Sequence, residues 1–137
     1  MTVDRTPEQE AEQKIESKLE DQGWEKVDSD SNRTGYDKYV QLPDGREADY
    51  VLYSIGKPVG VIEAKRQSKK PENHLQQARN YAQVIEGGGN YSGIYGVPFV
   101  FASNGERIVI DDLREGTPYA REIRSFTRQM TFPDGLH

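Results

Sequence analysis

Apolar positions along the chain switch between two periods. Ala11, Ile15 and Leu19 recur at four-residue intervals and predict an amphipathic helix over residues 6–22. Thr6 is placed to cap it, Pro7 suits its first position, acids crowd its first turn, and Gly23 can end it. Leu75, Ala78, Ala82 and Ile85 predict a second helix over residues 71–86. Between the helices the pattern shortens to that of strands. Val51, Leu52 and Tyr53 face Val59, Val61 and Ile62 across a turn supplied by Gly56 and Pro58. Short strands are also expected at residues 24–27 and 36–42, with a polar loop over 29–35 and a Pro43-Asp44-Gly45 turn. After the second helix, Val97, Phe99, Val100 and Phe101 run almost without interruption, as in a central strand. Asn104-Gly105 then turns the chain into a return strand through Ile108, Val109 and Ile110. Ile123, Phe126 and Met130 predict a short helix or a packed tail. Gly87-Gly88-Gly89-Asn90 reads as a flexible connector; without a following Lys-Ser/Thr pair it is not a phosphate loop.

The order helix, strands, helix, strands predicts an α/β fold with a mixed sheet flanked by helices. The 137 residues suffice for one domain, with a core over about residues 6–112 and a tail over 113–137. With 34% hydrophobic and 30% charged residues, the core is modest and the surface heavily solvated. A net charge of −5 argues against a general nucleic-acid coat, while leaving room for a local basic path. Cysteine is absent and the only histidines are His74 and His137, which excludes thiolate metal sites and makes a histidine-based triad untenable. No signal peptide or long apolar run is present, so a soluble, cytoplasmic protein with no membrane partner is expected.

The candidate chemistry lies on the first hairpin. Strand alternation puts Asp49, Val51 and Tyr53 on one face, and Val59, Val61, Glu63 and Lys65 on one face of the partner strand. A turn centred on Gly56 pairs positions whose numbers total about 112, which sets Asp49 across from Glu63. Opposed carboxylates repel, and a divalent cation between them would remove that penalty. Lys65 joins them, so the three could hold Mg²⁺ and a scissile phosphate at a solvent-facing site. The plain alternative is an exposed hairpin with surface charges. Glu8 and Glu12 flank the first helix's stripe, either as solvated charges or as a further acid reaching the site. Arg66, Lys69 and Lys70 follow the hairpin as a solvated face or as a phosphate track. Gln77 and Tyr81, four apart, share one side of the second helix.

The Asp49…Glu63-Ala64-Lys65 arrangement resembles the PD-(D/E)XK nuclease superfamily, with its restriction-endonuclease-like fold. Five segments in order resemble the N-terminal endonuclease domain of the R subunit of type I restriction-modification enzymes. They are the opening helix with Gly23-Trp24, Ala48-Asp49-Tyr50, Glu63-Ala64-Lys65, Gln77 to Tyr81, and the strand ending in Ser103-Asn104-Gly105. The resemblance implies a Mg²⁺-dependent endonuclease domain acting on double-stranded DNA. It implies Asp49, Glu63 and the Ala64 carbonyl as metal ligands, and Asp49, Glu63 and Lys65 as catalytic residues. Gln77 and Tyr81 would support the site or contact DNA, and Glu12 is favoured over Glu8 as the helix's acid. It also implies methyltransferase and specificity subunits as partners. The chain lacks a Gly-Lys-Ser/Thr loop, so ATP would be used only by an absent motor domain, whose junction Phe132-Pro133 resembles. An excised or truncated nuclease domain is therefore expected. The alternatives are a stand-alone repair or defence nuclease of the same fold, and a non-catalytic DNA- or subunit-docking module.

Overall fold

The computed structural model describes residues 5–114 and 120–127. Helix α1 (Pro7–Asp21) starts on the expected capping box, with Thr6 Oγ1 accepting from the Gln9 N–H while the Gln9 side chain accepts from the Thr6 N–H. Its buried residues are Ala11, Ile15 and Leu19. The strands are β1 (Glu25–Lys26), β2 (Gly35–Gln41), β3 (Glu47–Ser54), β4 (Lys57–Ala64), β5 (Phe99–Ser103), β6 (Ile108–Asp112) and β7 (Ala120–Ile123). Among the described residues they form one seven-stranded mixed sheet in sequence order, parallel at β1–β2 and β4–β5 and antiparallel elsewhere.

The sheet carries a helix on each face. Ile15 and Leu19 of α1 pack with Tyr50, Leu52, Ile62, Phe99 and Phe101. Helix α2 (Leu75–Ala82) packs Leu75, Ala78, Tyr81 and Ala82 on Val51, Val61, Val100 and Ala102. Strands β4 and β5 are shared by both layers, which is why their sequences are almost continuously apolar.

Several expectations are corrected. The second helix is shorter than residues 71–86: Pro71–His74 forms a 3₁₀ turn, and the Gly96 N–H takes the Ala82 carbonyl at 2.7 Å where the helix stops. Residues 120–123 are an edge strand, not a helix. Their sequence has no apolar alternation, and pairing with β6 places them. Phe126 is packed against Phe101, its ring centroid 5.4 Å away, whereas Met130, Phe132 and Pro133 lie outside the described residues. The glycine run is no loose connector at Gly88, where an added Cβ would lie 2.1 Å from the Gly96 carbonyl oxygen. Pro58 belongs to β4 and not to the turn. A bulge lies between Leu52 and Tyr53, so Leu52 pairs with Gly60 but Tyr53 with Pro58. Val59, left unpaired, packs in the α1 layer while Val61 packs in the α2 layer, so the two do not share a face.

The hairpin turn consists of Ile55 and Gly56, both left-handed at φ 50° and 78°. Glycine suits that geometry; a β-branched, largely exposed isoleucine does not. Ile55→Asn should therefore stabilise the chain by about 1 kcal/mol. Urea melts would show a higher midpoint at unchanged slope, and a lower midpoint would contradict this account of the turn.

Candidate active site

Beyond the bulge the register runs regularly, pairing Leu52 with Gly60, Val51 with Val61 and Tyr50 with Ile62. One step further it brings Asp49 opposite Glu63, the expected pair, but by way of the bulge at Val59 and not of a turn centred on Gly56. Asp49 Oδ2 accepts the Ala64 N–H at 2.8 Å, so this carboxylate is tied to the backbone of the Glu63-Ala64-Lys65 segment. Lys65 Nζ lies 3.1 Å from Glu63 Oε2. The other Glu63 oxygen, Oε1, is buried without a hydrogen-bond partner among the described residues. Glu63 is 3% exposed, so it is not the solvent-facing residue the hairpin pattern implied.

The electrostatics follow from burial. Loss of solvent raises the pKa of Asp49; the Ala64 N–H works against this, and the negative charge of Glu12 adds to it. Glu63 is pushed up from 4.5 to about 7, first by burial and then by the charge of Asp49, with Lys65 opposing. Two carboxylates in contact, one with an unsatisfied oxygen, form a site that favours either a shared proton or a cation.

A second layer of groups comes from α1 and β2. Glu12 accepts from the Tyr39 hydroxyl at 2.7 Å and lies 3.4 Å from Lys38 Nζ. Glu16 accepts from the buried Tyr50 hydroxyl at 2.6 Å and pairs with Lys38 at 2.7 Å. Glu8 is exposed, so the structure favours Glu12 as the acid near the site. Glu12 acts on Asp49 through its field. Among the described residues no three carboxylate or imidazole groups form a metal-ligating cluster, so it is not brought in as a third ligand. Glu16 and Lys38 are additions that the sequence reading missed. The four-residue spacing of Glu12 and Glu16 was the available signal. Tyr39 lies between Lys38 and Val40, which pair with Tyr50 and Ala48, and so runs beside Asp49. Its backbone is left-handed at φ 57°, a costly conformation for tyrosine.

Gln77 and Tyr81 do share a side of α2, with Gln77 Nε2 donating to the Tyr81 hydroxyl at 2.9 Å. The Tyr81 ring is buried in the α2 layer beneath the Arg46 guanidinium, 5.0 Å from its centroid.

Known proteins resemble this chain in the same region. The model of the type I restriction enzyme EcoKI endonuclease subunit second domain matches residues 38–132. The type I restriction enzyme EcoAI endonuclease subunit of Escherichia coli is 30% identical over 127 residues, covering 82% of this chain. A solved HsdR subunit fragment of a type I restriction enzyme from Vibrio vulnificus YJ016 has the same fold, with a TM-score of 0.66 at 22% identity over 98% of this chain. The chain spans 13% of the Escherichia coli subunit and 25% of the Vibrio chain.

The raised Glu63 pKa makes a pH prediction. Folding penalises the charged form, so wild-type stability should grow as pH falls through about 7 toward the ordinary value of 4.5. Glu63→Gln removes the penalty. Without divalent ions it should stabilise the chain by roughly 1–3 kcal/mol at pH 8 and by nothing near pH 4. Urea melts at both pH values measure the difference, and an effect independent of pH would refute the assignment.

Proposed function

The chain belongs to the type I restriction enzyme endonuclease subunit family, and on that premise we propose that it is the Mg²⁺-dependent, PD-(D/E)XK-type domain that cuts DNA in such a subunit. The observation that carries this reading is the half-buried Asp49 against the buried Glu63, with one Glu63 oxygen unpartnered among the described residues and Lys65 alongside. For a docking module that oxygen would only be a cost, because a buried acceptor left unsatisfied loses about 1–3 kcal/mol.

The residues present fit a hard cation. Two carboxylates and the Ala64 carbonyl are oxygen donors, and magnesium commonly takes one or two carboxylates and fills its remaining positions with water and phosphate. When bound, the ion would supply charge neutralisation at the phosphate and a more acidic bound water. Asp49 is oriented for that role by the Ala64 N–H, and Glu63 by its burial and by Lys65. The Lys65 ammonium would stand beside the attacked phosphate, offset its developing charge and orient water. Glu12, itself held by Lys38 and Tyr39, sets the local negative field. Gln77 and Tyr81 would contact DNA or hold α2 in place.

In the parent restriction complex, Asp49→Ala, Glu63→Ala and Lys65→Ala should each lower cleavage by at least about a hundredfold while the domain stays folded. Wild-type cleavage by Lys65→Ala would sink the reading. Calorimetric titration of the chain with Mn²⁺ should show binding that strengthens as pH rises through 7, because cation and proton compete for the same oxygens. Binding should vanish in Glu63→Ala and persist in Gln77→Ala; equal loss in both would show the roles to be wrong.

The isolated chain should show little or no site-specific cleavage. Its net charge is −5, and the described residues hold no zinc finger or other base-reading motif. In the assembled complex, by contrast, a motor and a specificity subunit would raise the effective concentration of DNA at the site. A reproducible fragment pattern from plasmid, Mg²⁺ and the chain alone would favour a stand-alone nuclease instead.

A further inference from the structure

Many positive side chains of this acidic protein are occupied among the described residues. Lys14, Lys26, Arg33, Lys38, Arg46, Arg107 and Arg114 each sit within ion-pair distance of a carboxylate. Arg79, on the side of α2, is taken by the fully buried Asp111 at 2.7 Å and is not available to a ligand. Arg66, Lys69 and Lys70 differ: all three are exposed, and no carboxylate lies within ion-pair distance of them among the described residues. They follow Lys65 directly, on the segment leading from β4 to Pro71. His74, on the next turn, has its pKa lowered by burial and then by the charges of Lys65 and Lys69. The positive field of this segment thus reaches its surroundings.

A segment of exposed cations gives a defined phosphate track only if its backbone is held. Here one side chain holds it. Asn104 is 5% exposed, and its amide uses its full hydrogen-bonding capacity. Oδ1 accepts the N–H groups of Glu106 at 3.0 Å and Arg107 at 2.8 Å, which closes the β5–β6 turn. Nδ2 donates to the carbonyls of Gln67 at 3.1 Å and Lys69 at 2.9 Å, which ties down the basic segment. Two N–H groups on one side and two carbonyls on the other fix which way the amide points. The Lys65 N–H to the Ser103 carbonyl, at 2.9 Å, anchors the segment's start to the same strand end.

We propose that Arg66, Lys69 and Lys70 form the phosphate-binding edge beside the Asp49–Glu63–Lys65 site, and that Asn104 is the positioning residue that presents them to one strand of duplex DNA. This rests on the nuclease reading and adds to it where the DNA backbone runs. Held carbonyls keep the three cations on one exposed edge, at the end of the strand that carries Glu63. A free segment would have to be ordered at each encounter, with the entropy cost that entails.

The test uses the whole chain, a fluorescent DNA duplex and anisotropy titrations over a series of low salt concentrations. The triple variant Arg66→Gln, Lys69→Gln, Lys70→Gln should weaken binding and flatten the dependence of log K on log salt by roughly two to three, since each lost phosphate contact removes about 0.9. Asn104→Ser keeps a hydroxyl for the turn, cannot reach both carbonyls, and leaves net charge unchanged. It should weaken binding about three- to tenfold with nearly the wild-type salt slope, since the cations remain, and speed hydrogen exchange at residues 66–70. Mn²⁺ binding, measured in parallel, should persist in both variants, which separates failure of this proposal from failure of the metal site. Wild-type affinity in the triple variant would overturn the phosphate track. A melting-temperature loss in Asn104→Ser without change in the affinity of the folded protein would overturn the positioning role. If the wild-type chain binds no duplex at low salt while it binds Mn²⁺, the proposal falls and the metal site stands.

Discussion

The arrangement of the site depends on one register, the antiparallel pairing of β3 with β4 that sets Asp49 against Glu63. Slipping β3 by one residue along β4 would turn Asp49 from one sheet face to the other and send Val51 out of the α2 layer. The packing of the core and the geometry of the carboxylates are therefore fixed by the same backbone pairing. The price is a largely buried carboxylate contact that is only partly compensated: Lys65 meets one Glu63 oxygen, and the other has no hydrogen-bond partner among the described residues. That residual deficit gives the site its preference for a proton or a cation.

The surrounding elements hold this strained pair in place. The Ala64 N–H fixes Asp49, and β5 lies parallel along β4 up to Ala64 and Ser103, which stiffens the strand behind Glu63. From the other face, α1 contributes Glu12 and Glu16, which converge on Lys38, while the Tyr39 and Tyr50 hydroxyls complete the network. A left-handed tyrosine beside Asp49 persists only because these contacts outweigh its backbone cost. The helix that the apolar stripe positions on the sheet thus also adds, through Glu12, to the charge acting on Asp49.

Much of this was legible in residues whose signal is local or periodic. The Thr6 cap and the Ala11–Ile15–Leu19 stripe follow from spacing alone, whereas the expected Asp49–Glu63 register assumed a turn centred on Gly56 and is reached in the structure by another route. The bulge at Val59 was not legible, because Val-Gly-Val reads as ordinary alternation and only the fit of a two-residue turn reveals the extra residue. Edge strand β7 was missed for a related reason: Ala120–Ile123 is mostly exposed, and backbone pairing with β6 leaves little trace in side chains. Glu63 looked like a surface residue because its chemistry is polar; its burial comes from β5 and the helices closing around β4. Asn104 was visible only as half of a turn, since its two bonds to Gln67 and Lys69 join residues more than 30 positions apart.

These features converge on how charge is divided over the fold. The chain carries 23 acidic and 18 basic side chains, and the structure pairs many of the cations among themselves with acids on strands and helices. Each such pair removes a positive group from contact with a polyanion, and the net charge of −5 repels one within a Debye length of about 8–10 Å. Arg66, Lys69 and Lys70 are exposed with no carboxylate within ion-pair distance among the described residues, as are Lys57 and Arg124, but only these three follow Glu63 and the paired Lys65 directly in the chain. A general basic coat would hold DNA in many orientations, most of them unproductive. On the proposed phosphate edge, a short run of cations beside the site would hold DNA weakly, with a phosphate brought toward Glu63 and Lys65. Such weak, oriented contact would suit a domain whose hold on DNA is supplied from elsewhere.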